Sequence, residues 1–260
     1  MLNQSKVERL QTKDQSDFFL ISFPKCGRTW LRLMLGRAMQ THFGLPNTNL
    51  LELDQLATLS PNIPKIWVSH DDNPQWKTPD DLVTSKAEYK EKQVIFLVRD
   101  PRDVLISNYF QKTKRREAYN GRLSEYLQEN LGSFETILRF YNIWAANRDV
   151  PQGFLLVRYE DIHDNPHREL GRVLEFLGLS AVDEQTIAEA VQYASFENMR
   201  KMELENTFNS QRLAPIDSKD PDSYKTRKGK VGGFRDYLSG AEIAELNRRI
   251  QETLSDFYTT

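Results

Sequence analysis

Apolar residues in this chain fall into two kinds of pattern. Four short runs, Phe18–Phe23, Ile66–Ser69, Val94–Val98 and Phe154–Arg158, are apolar without alternation. Such runs suit strands of a parallel sheet covered on both faces. Between them lie helical patterns over Trp30–Gln40, Val104–Lys114 (opened by Asp100-Pro101), Phe134–Asn147 and Arg168–Leu177. Near the end, Ile243, Leu246, Ile250, Leu254 and Phe257 recur every three or four residues, which predicts an amphipathic final helix. Strand–helix alternation of this kind predicts a doubly wound α/β fold with a central parallel sheet of four to five strands flanked by helices.

Two segments break the pattern. Lys112–Leu123 is polar with a basic cluster, and Asn209–Lys230 is rich in Pro, Asp and Ser without periodicity. Both are expected to be mobile, and a structureless stretch as long as the second is usually functional or disordered. Neither reads as a domain boundary, and no repeat or low-complexity tract is present. The expectation is one domain over residues 1–260, with residues 1–16 a flexible polar segment.

Charge narrows the function classes. The chain has 260 residues, 35 basic and 37 acidic, for a net charge of −2. That argues against a nucleic-acid binder driven by overall charge and leaves local basic patches open. One cysteine excludes an internal disulfide framework and suits a reducing compartment. The N-terminus has no apolar core of signal-peptide length, and no run approaches the ~18 residues that span a bilayer. A cytoplasmic protein without integral membrane association is expected.

The turn after the first apolar run reads Pro24-Lys25-Cys26-Gly27-Arg28-Thr29-Trp30. A helix start exposes unpaired N–H groups and partial positive charge, which suits an anion. Gly27 permits close backbone approach, Lys25 and Arg28 add charge, and Thr29 adds a hydroxyl. Together they describe a phosphate cradle; a plain strand–helix turn with a solvated lysine is the simpler alternative. The NTPase pattern G-x-x-x-x-G-K-[ST] does not fit, because no earlier glycine is present and Arg28 stands where the lysine would be.

Further along, Arg99 ends the third apolar run and Ser107 follows eight residues later. In open parallel sheets, ligands sit beyond the strands' carboxyl ends, where an arginine can fork onto a phosphate. A structural pairing of Arg99 with Asp103, or of Arg102 with Asp100, fits the same residues. A third element, "TRKGKVGGF" from Thr226 to Phe234, offers Arg227, Lys228 and Gly229.

"FPKCGRTW", "VRDPRDVLISNYF" and "RKGKVGGF" resemble, in that order, the three motifs of the soluble sulfotransferases that use 3′-phosphoadenosine 5′-phosphosulfate (PAPS). "FLLVRYEDIHDNP" and "ASFENM" resemble two further segments of that family, so the likeness runs from about Phe19 to Tyr237. The resemblance implies a P-loop-NTPase-like three-layer fold and transfer of a sulfuryl group to a hydroxyl or amine. It implies that Lys25, Gly27, Arg28, Thr29 and Trp30, in the loop that also holds Cys26, bind the 5′-phosphosulfate and adenine. Arg99 and Ser107 would hold the 3′-phosphate with Arg227, Lys228 and Gly229, and Tyr159 and Ser195 or Phe196 would line the adenine pocket. No metal is implied. Departures from the family pattern are Cys26 for serine, Arg28 for threonine, Ala194 for threonine, and Gly233-Phe234 for Asp-Trp. The family's dimer run is not evident in "RDYLSGAEIAEL", and no dimer is inferred. Cys26 reads as a redox-sensitive thiol near cations or as a small buried filler.

His70 ends the second apolar run, where the family has a histidine in "K-T-H"; here Val68 and Ser69 precede it. A neutral imidazole there can take a hydroxyl proton, with Lys25 near the bridging oxygen. A hydrogen-bonded strand-end histidine without a chemical role is the alternative. His163 and His167 lie four apart, with Pro166 between them and no third metal ligand obvious. Rival readings are an ATP–Mg²⁺ kinase using Asp100 and a non-catalytic nucleotide-binding protein. The residues leave the acceptor's identity open; a small-molecule, carbohydrate or lipid-like compound is expected. Asp71 and Asp72 would suit a polar or cationic one, while Trp67, Trp76, Tyr109, Phe110 and Tyr119 would suit an aromatic, sugar or lipid-like one. The loops Asp71–Pro79, Lys112–Leu123 and Asn209–Lys225 are candidates for building its pocket.

Overall fold

The computed structural model describes residues 13–208 and 215–258. Most of the N-terminal segment and residues 209–214 of the long loop lie outside that range. Four strands, β1 (Phe18–Ser22), β2 (Ile66–Ser69), β3 (Gln93–Val98) and β4 (Gly153–Arg158), form one parallel sheet in the order β2-β1-β3-β4. Phe18 of β1 stands opposite both Ile66 and Gln93, and Gln93 stands opposite Gly153.

Burial divides the strands by position. The central strands are buried from Phe19 to Ser22 and from Val94 to Val98. The edge strands are half-buried, with only Ile66 and Val157 fully covered. An edge strand has a neighbour on one side only, so its apolar run does not imply full enclosure. Strand order reverses between β1 and β3, and the crevice beyond their carboxyl ends is where such sheets hold ligands.

Ten α-helices complete the described residues: α1 (Arg28–His42), α2 (Leu53–Leu56), α3 (Pro101–Phe110), α4 (Leu123–Tyr126), α5 (Phe134–Ala146), α6 (Tyr159–Asp164), α7 (Pro166–Phe176), α8 (Glu184–Tyr193), α9 (Phe196–Leu204) and α10 (Gly240–Thr253). α1 packs with α7 and α8, and α3 packs with α5. Asp100 caps α3 through the Arg102 N–H, with Pro101 at the first helical position, so the helix starts earlier than its apolar pattern. α10 stops at Thr253, where Leu254 turns extended; Phe257 belongs to a separate short turn. α8 and α9 are not among the expected helices; Asp183 and Ser195 accept N–H bonds from Thr186 and Asn198 and cap them.

The segment expected to be a mobile basic loop begins with a π-helical turn, Gln111–Arg115, continuing α3. Lys112 is buried there and donates to the Leu131 carbonyl at 2.9 Å. Wide turns of this kind re-aim side chains and recur at functional sites.

A second surprise follows β2. Asp71, Asp72 and Asn73 take successive positive φ values of 47°, 73° and 54°, a conformation that Asp and Asn tolerate better than most residues. Asp71 is buried and does not face an acceptor. Its carboxylate pairs with Lys86 at 2.7 Å and accepts from the Tyr89 hydroxyl at 2.8 Å and the Trp144 indole N–H at 3.0 Å. Asp72 pairs with Lys77. Asp71→Ala would leave the 3 % exposed Lys86 without its carboxylate. It is expected to lower unfolding free energy by about 3–5 kcal/mol in urea titrations; an unchanged midpoint would show that this staple is dispensable.

Candidate active site

Beyond β1 the chain turns through Lys25 and Gly27, both at positive φ (78° and 90°), into α1. A lysine in that region is strained, a condition that clusters at functional sites. Gly27 has no alternative, because an added Cβ would lie 2.5 Å from Tyr159 Cδ2. The Tyr159 ring meets Trp30 edge-on at 5.7 Å, and the Arg99 guanidinium lies 4.3 Å from its centroid. No side chain caps α1; the Trp30 N–H is taken by the Gly27 carbonyl at 2.9 Å, and the helix start ahead of it offers its positive end to an anion.

Arg99 binds three chain segments together. Nη1 donates to the Lys25 carbonyl at 3.4 Å, and Nη2 donates to the Lys230 carbonyl at 3.0 Å. Nη2 also pairs with Asp103 Oδ2 at 3.4 Å. Asp103, 3 % exposed, accepts the backbone N–H groups of Gly232 at 2.8 Å and Phe234 at 2.9 Å. The structural pairing and the cleft position of Arg99 therefore coexist. From beneath, the buried Tyr141 hydroxyl donates to the Arg99 carbonyl at 2.9 Å and accepts the Arg99 N–H at 3.1 Å. Cys26 Sγ lies 3.3 Å from the same oxygen.

These segments open onto one cleft of about 1280 Å³. Lys25, Gly27, Arg28, Thr29, Trp30, His70, Arg99, Ser107, Tyr159, Phe196, Arg227, Lys228 and Gly229 line it. Two expected residues do not. Cys26 is fully buried with its thiol turned to Tyr141, and the Ser195 hydroxyl accepts the Asn198 N–H as a helix cap. Gly229, at φ 57°, packs under Phe196, where a Cβ would meet Cδ2 at 2.6 Å. Arg227 lies 4.2 Å from the Phe110 ring and bonds the Tyr237 hydroxyl, while Lys228 pairs with Asp236 at 3.0 Å.

His70 is oriented from both sides. The Ser22 carbonyl only accepts, so the ring's Nδ1–H donates to it at 2.9 Å. Nε2 is then the unprotonated nitrogen, and Arg28 Nη2–H donates to it at 2.7 Å. His163 also lines the cleft and donates from Nε2 to the Gly229 carbonyl at 3.0 Å; among the described residues no group of three potential ligands could hold a metal. Asp100 is engaged as the α3 cap and by Arg102 at 2.5 Å, which removes the carboxylate a kinase reading requires.

The sulfotransferase domain family matches residues 15–258. The chain belongs to the sulfotransferase family. It is 25 % identical to cytosolic sulfotransferase 12 of Arabidopsis thaliana, covering 94 % of this chain and 79 % of that protein. It is 24 % identical to human sulfotransferase 2A1, covering 92 % and 85 %. Among solved structures, mouse sulfotransferase SULT7A1 complexed with PAP superposes with a TM-score of 0.64 at 19 % identity, covering 95 % of this chain and 89 % of the other, which shows a shared fold. No helix among the described residues is long and apolar enough to cross a membrane.

In this sulfotransferase, packed cations dominate the electrostatics. Lys25, 3.0 Å from Gln111 Oε1, has its pKa held well below the usual lysine value by burial and by Lys225, Arg115, Arg227 and Arg99. Lys225 is lowered to about 7 by burial, then Arg115, Arg28 and Arg32, against the opposing pull of Glu203. Burial and Arg28 likewise push His70 well below the ordinary imidazole value. Lys225, Arg115 and Arg32 were not singled out from sequence. The first two lie in segments without periodicity, and Arg32 shows its role only because it follows Arg28 by one helical turn. Of the aromatic acceptor candidates, Trp67 and Trp76 line the cleft, whereas Tyr109, Phe110 and Tyr119 pack among themselves and with Tyr126 and Tyr237.

Burial pushes the Cys26 thiol up to about 12, which supports the buried-filler reading. A disulfide reagent is expected to find no fast-reacting thiol in the folded protein and one equivalent in denaturant. Rapid stoichiometric labelling of the folded chain would contradict this burial.

Proposed function

We propose that this chain transfers the sulfuryl group of PAPS to a hydroxyl of a small-molecule acceptor. The observation that carries the reading is the convergence of Lys25–Thr29, Arg99–Ser107 and Arg227–Gly229 on one cleft around an uncapped helix start. The donor set suits a nucleotide carrying phosphates at both ends: cations from separate segments, first-turn N–H groups, and a glycine turn that no side chain could enter. Both curated relatives described above are sulfotransferases, and the mouse structure holds PAP.

In this reading Thr29 and the α1 N-terminus hold the 5′-phosphate, while Arg99 and Ser107 hold the 3′-phosphate with Arg227 and Lys228. Tyr159, Trp30 and Phe196 flank the adenine. Bound there, PAPS supplies an activated sulfuryl group whose S–O bond to the nucleotide breaks as the acceptor oxygen attacks in line. His70 Nε2 accepts the hydroxyl proton, and its Nδ1–H bond to Ser22 fixes the competent tautomer. Arg28, which donates to Nε2 at 2.7 Å, must first release it. Lys25 neutralises charge developing on the departing phosphate oxygen. Its lowered proton affinity reverses as that anion arrives, so ligand binding draws a proton onto the cleft. Positioning and fixed charge carry the rate, and no covalent enzyme intermediate is required.

Assays of sulfate transfer from labelled PAPS test the reading. His70→Ala is expected to bind adenosine 3′,5′-bisphosphate normally and to lose ~10²–10⁴-fold in turnover. Unchanged turnover would remove His70 from the base role. Because the base must be unprotonated and its pKa is depressed, wild-type kcat/KM should hold below about pH 6.5. Arg28→Thr removes the positive charge beside the imidazole that adds to that depression, and the acid limb should move upward. A limb that stays in place would separate Arg28 from the titration.

A further inference from the structure

We propose that the acceptor side of the cleft is an anion subsite built by Lys225, Arg115, Arg32 and Arg28, and that the molecule sulfated there carries a carboxylate or phosphate ester near its hydroxyl. The inference rests on the sulfotransferase reading above and names its substrate class.

Charge segregation is the first observation. The whole chain carries −2, yet eleven basic and three acidic side chains line the cleft. Lys25, Arg28, Arg99, Arg227 and Lys228 belong to the segments assigned to the nucleotide. Lys225, Arg115 and Arg32 lie outside those motif residues and line the cleft with Arg28, which borders both ligands: Arg32 follows Arg28 by one turn of α1, and Arg115 and the Lys225 N–H share Glu203. Arg115, Arg28 and Arg32 are the cations that lower the Lys225 pKa, and Lys225 in turn leads the cations that lower Lys25.

The second observation is how these cations are held. Arg115, with its side chain 6 % exposed, pairs with Glu203 at 3.2 Å and donates to the Ser223 carbonyl at 2.6 Å. Glu203, 1 % exposed, spends its remaining capacity on the backbone N–H groups of Lys225 and Thr226. It therefore anchors the Lys225 backbone and leaves the ammonium without an ion pair among the described residues. Arg32 reaches Glu52 at 3.4 Å, and Arg28 donates to His70. Among the described residues, Glu203 and Glu52 are carboxylates that pair with these cations, which sit on elements fixed by α1, the π-helical turn and α9. Fixed cations at partly dried positions bind an oxyanion strongly and disfavour a neutral or cationic group that leaves them uncompensated.

Position supplies the third. Arg28 donates to His70 Nε2 at 2.7 Å, and Lys225 lines the same cleft. An anion seated on them lies close to the base, so a compact acceptor can present its hydroxyl to His70 while its anion meets the cluster. Trp67 and Trp76 on the same cleft suit a flat ring between the two groups.

Titration calorimetry of the complex with adenosine 3′,5′-bisphosphate tests this with matched pairs: 4-hydroxyphenylacetate against its methyl ester, and glucose 6-phosphate against glucose. The first pair probes a carboxylate and the second a phosphate ester. In at least one pair the anionic member should bind about tenfold tighter or more, Lys225→Gln should erase most of that ratio, and Lys225→Arg should retain it. Neutral members binding as well as the anions in both pairs, absence of binding by either anion, or a ratio that survives Lys225→Gln would overturn the subsite. Should Lys225→Gln fail to fold, Arg32→Gln carries the same comparison. If the bisphosphate itself does not bind, the sulfotransferase reading fails separately, and the same pairs titrated into the free protein still decide the subsite.

Discussion

Asp103 is the group on which the site depends. One carboxylate, 3 % exposed, takes two backbone N–H groups from the segment after Lys230 and pairs with Arg99. Arg99 then reaches the carbonyls of Lys25 and Lys230. Two N–H donors and a guanidinium together offset the desolvation of a buried carboxylate. The same clamp closes the distance between the turn after β1, the end of β3 and the chain's third basic segment. Tyr141 repeats the logic from below, satisfying both backbone groups of Arg99 while holding Cys26.

What the clamp assembles is electrostatically unfavourable by itself. Cations crowd the cleft, and Lys25 and Lys225 lose proton affinity while His70 is held neutral. Like charges gathered at partly buried positions cost stability, and that cost is the condition of tight anion binding, because no reorganisation is needed when the ligand arrives. Strain at Lys25 and across Asp71–Asn73 belongs to the same arrangement: both strained turns leave strand ends that border the cleft, and both are held by buried polar contacts nearby.

The sheet was legible because its signal is local. Each of the four strands is a short apolar run, and the glycine turn after the first can be recognised from residue types alone. The motif residues that line the cleft were legible through the family resemblance that their short segments carry. Arg115 and Lys225 were not, since a basic residue in a segment without periodicity reads as solvated surface until a buried partner such as Glu203 is known. Asp71 shows the opposite error. An acid following a candidate base looks functional, and only the three-dimensional neighbourhood of Lys86, Tyr89 and Trp144 turns it into a structural staple. Ser195 and Cys26 lie beside motif residues in sequence, but one caps a helix and the other faces the core.

The central claim is that one doubly phosphorylated nucleotide bridges the turn after β1 and the end of β3. A crystal structure of the chain with adenosine 3′,5′-bisphosphate tests it most directly. The expected result has the 5′-phosphate on the N–H groups and side chains of Lys25–Thr29 and the 3′-phosphate within hydrogen-bond distance of Arg99 and Ser107. A nucleotide seated elsewhere on the molecule, or crystals that exclude it at saturating concentration, would contradict the claim.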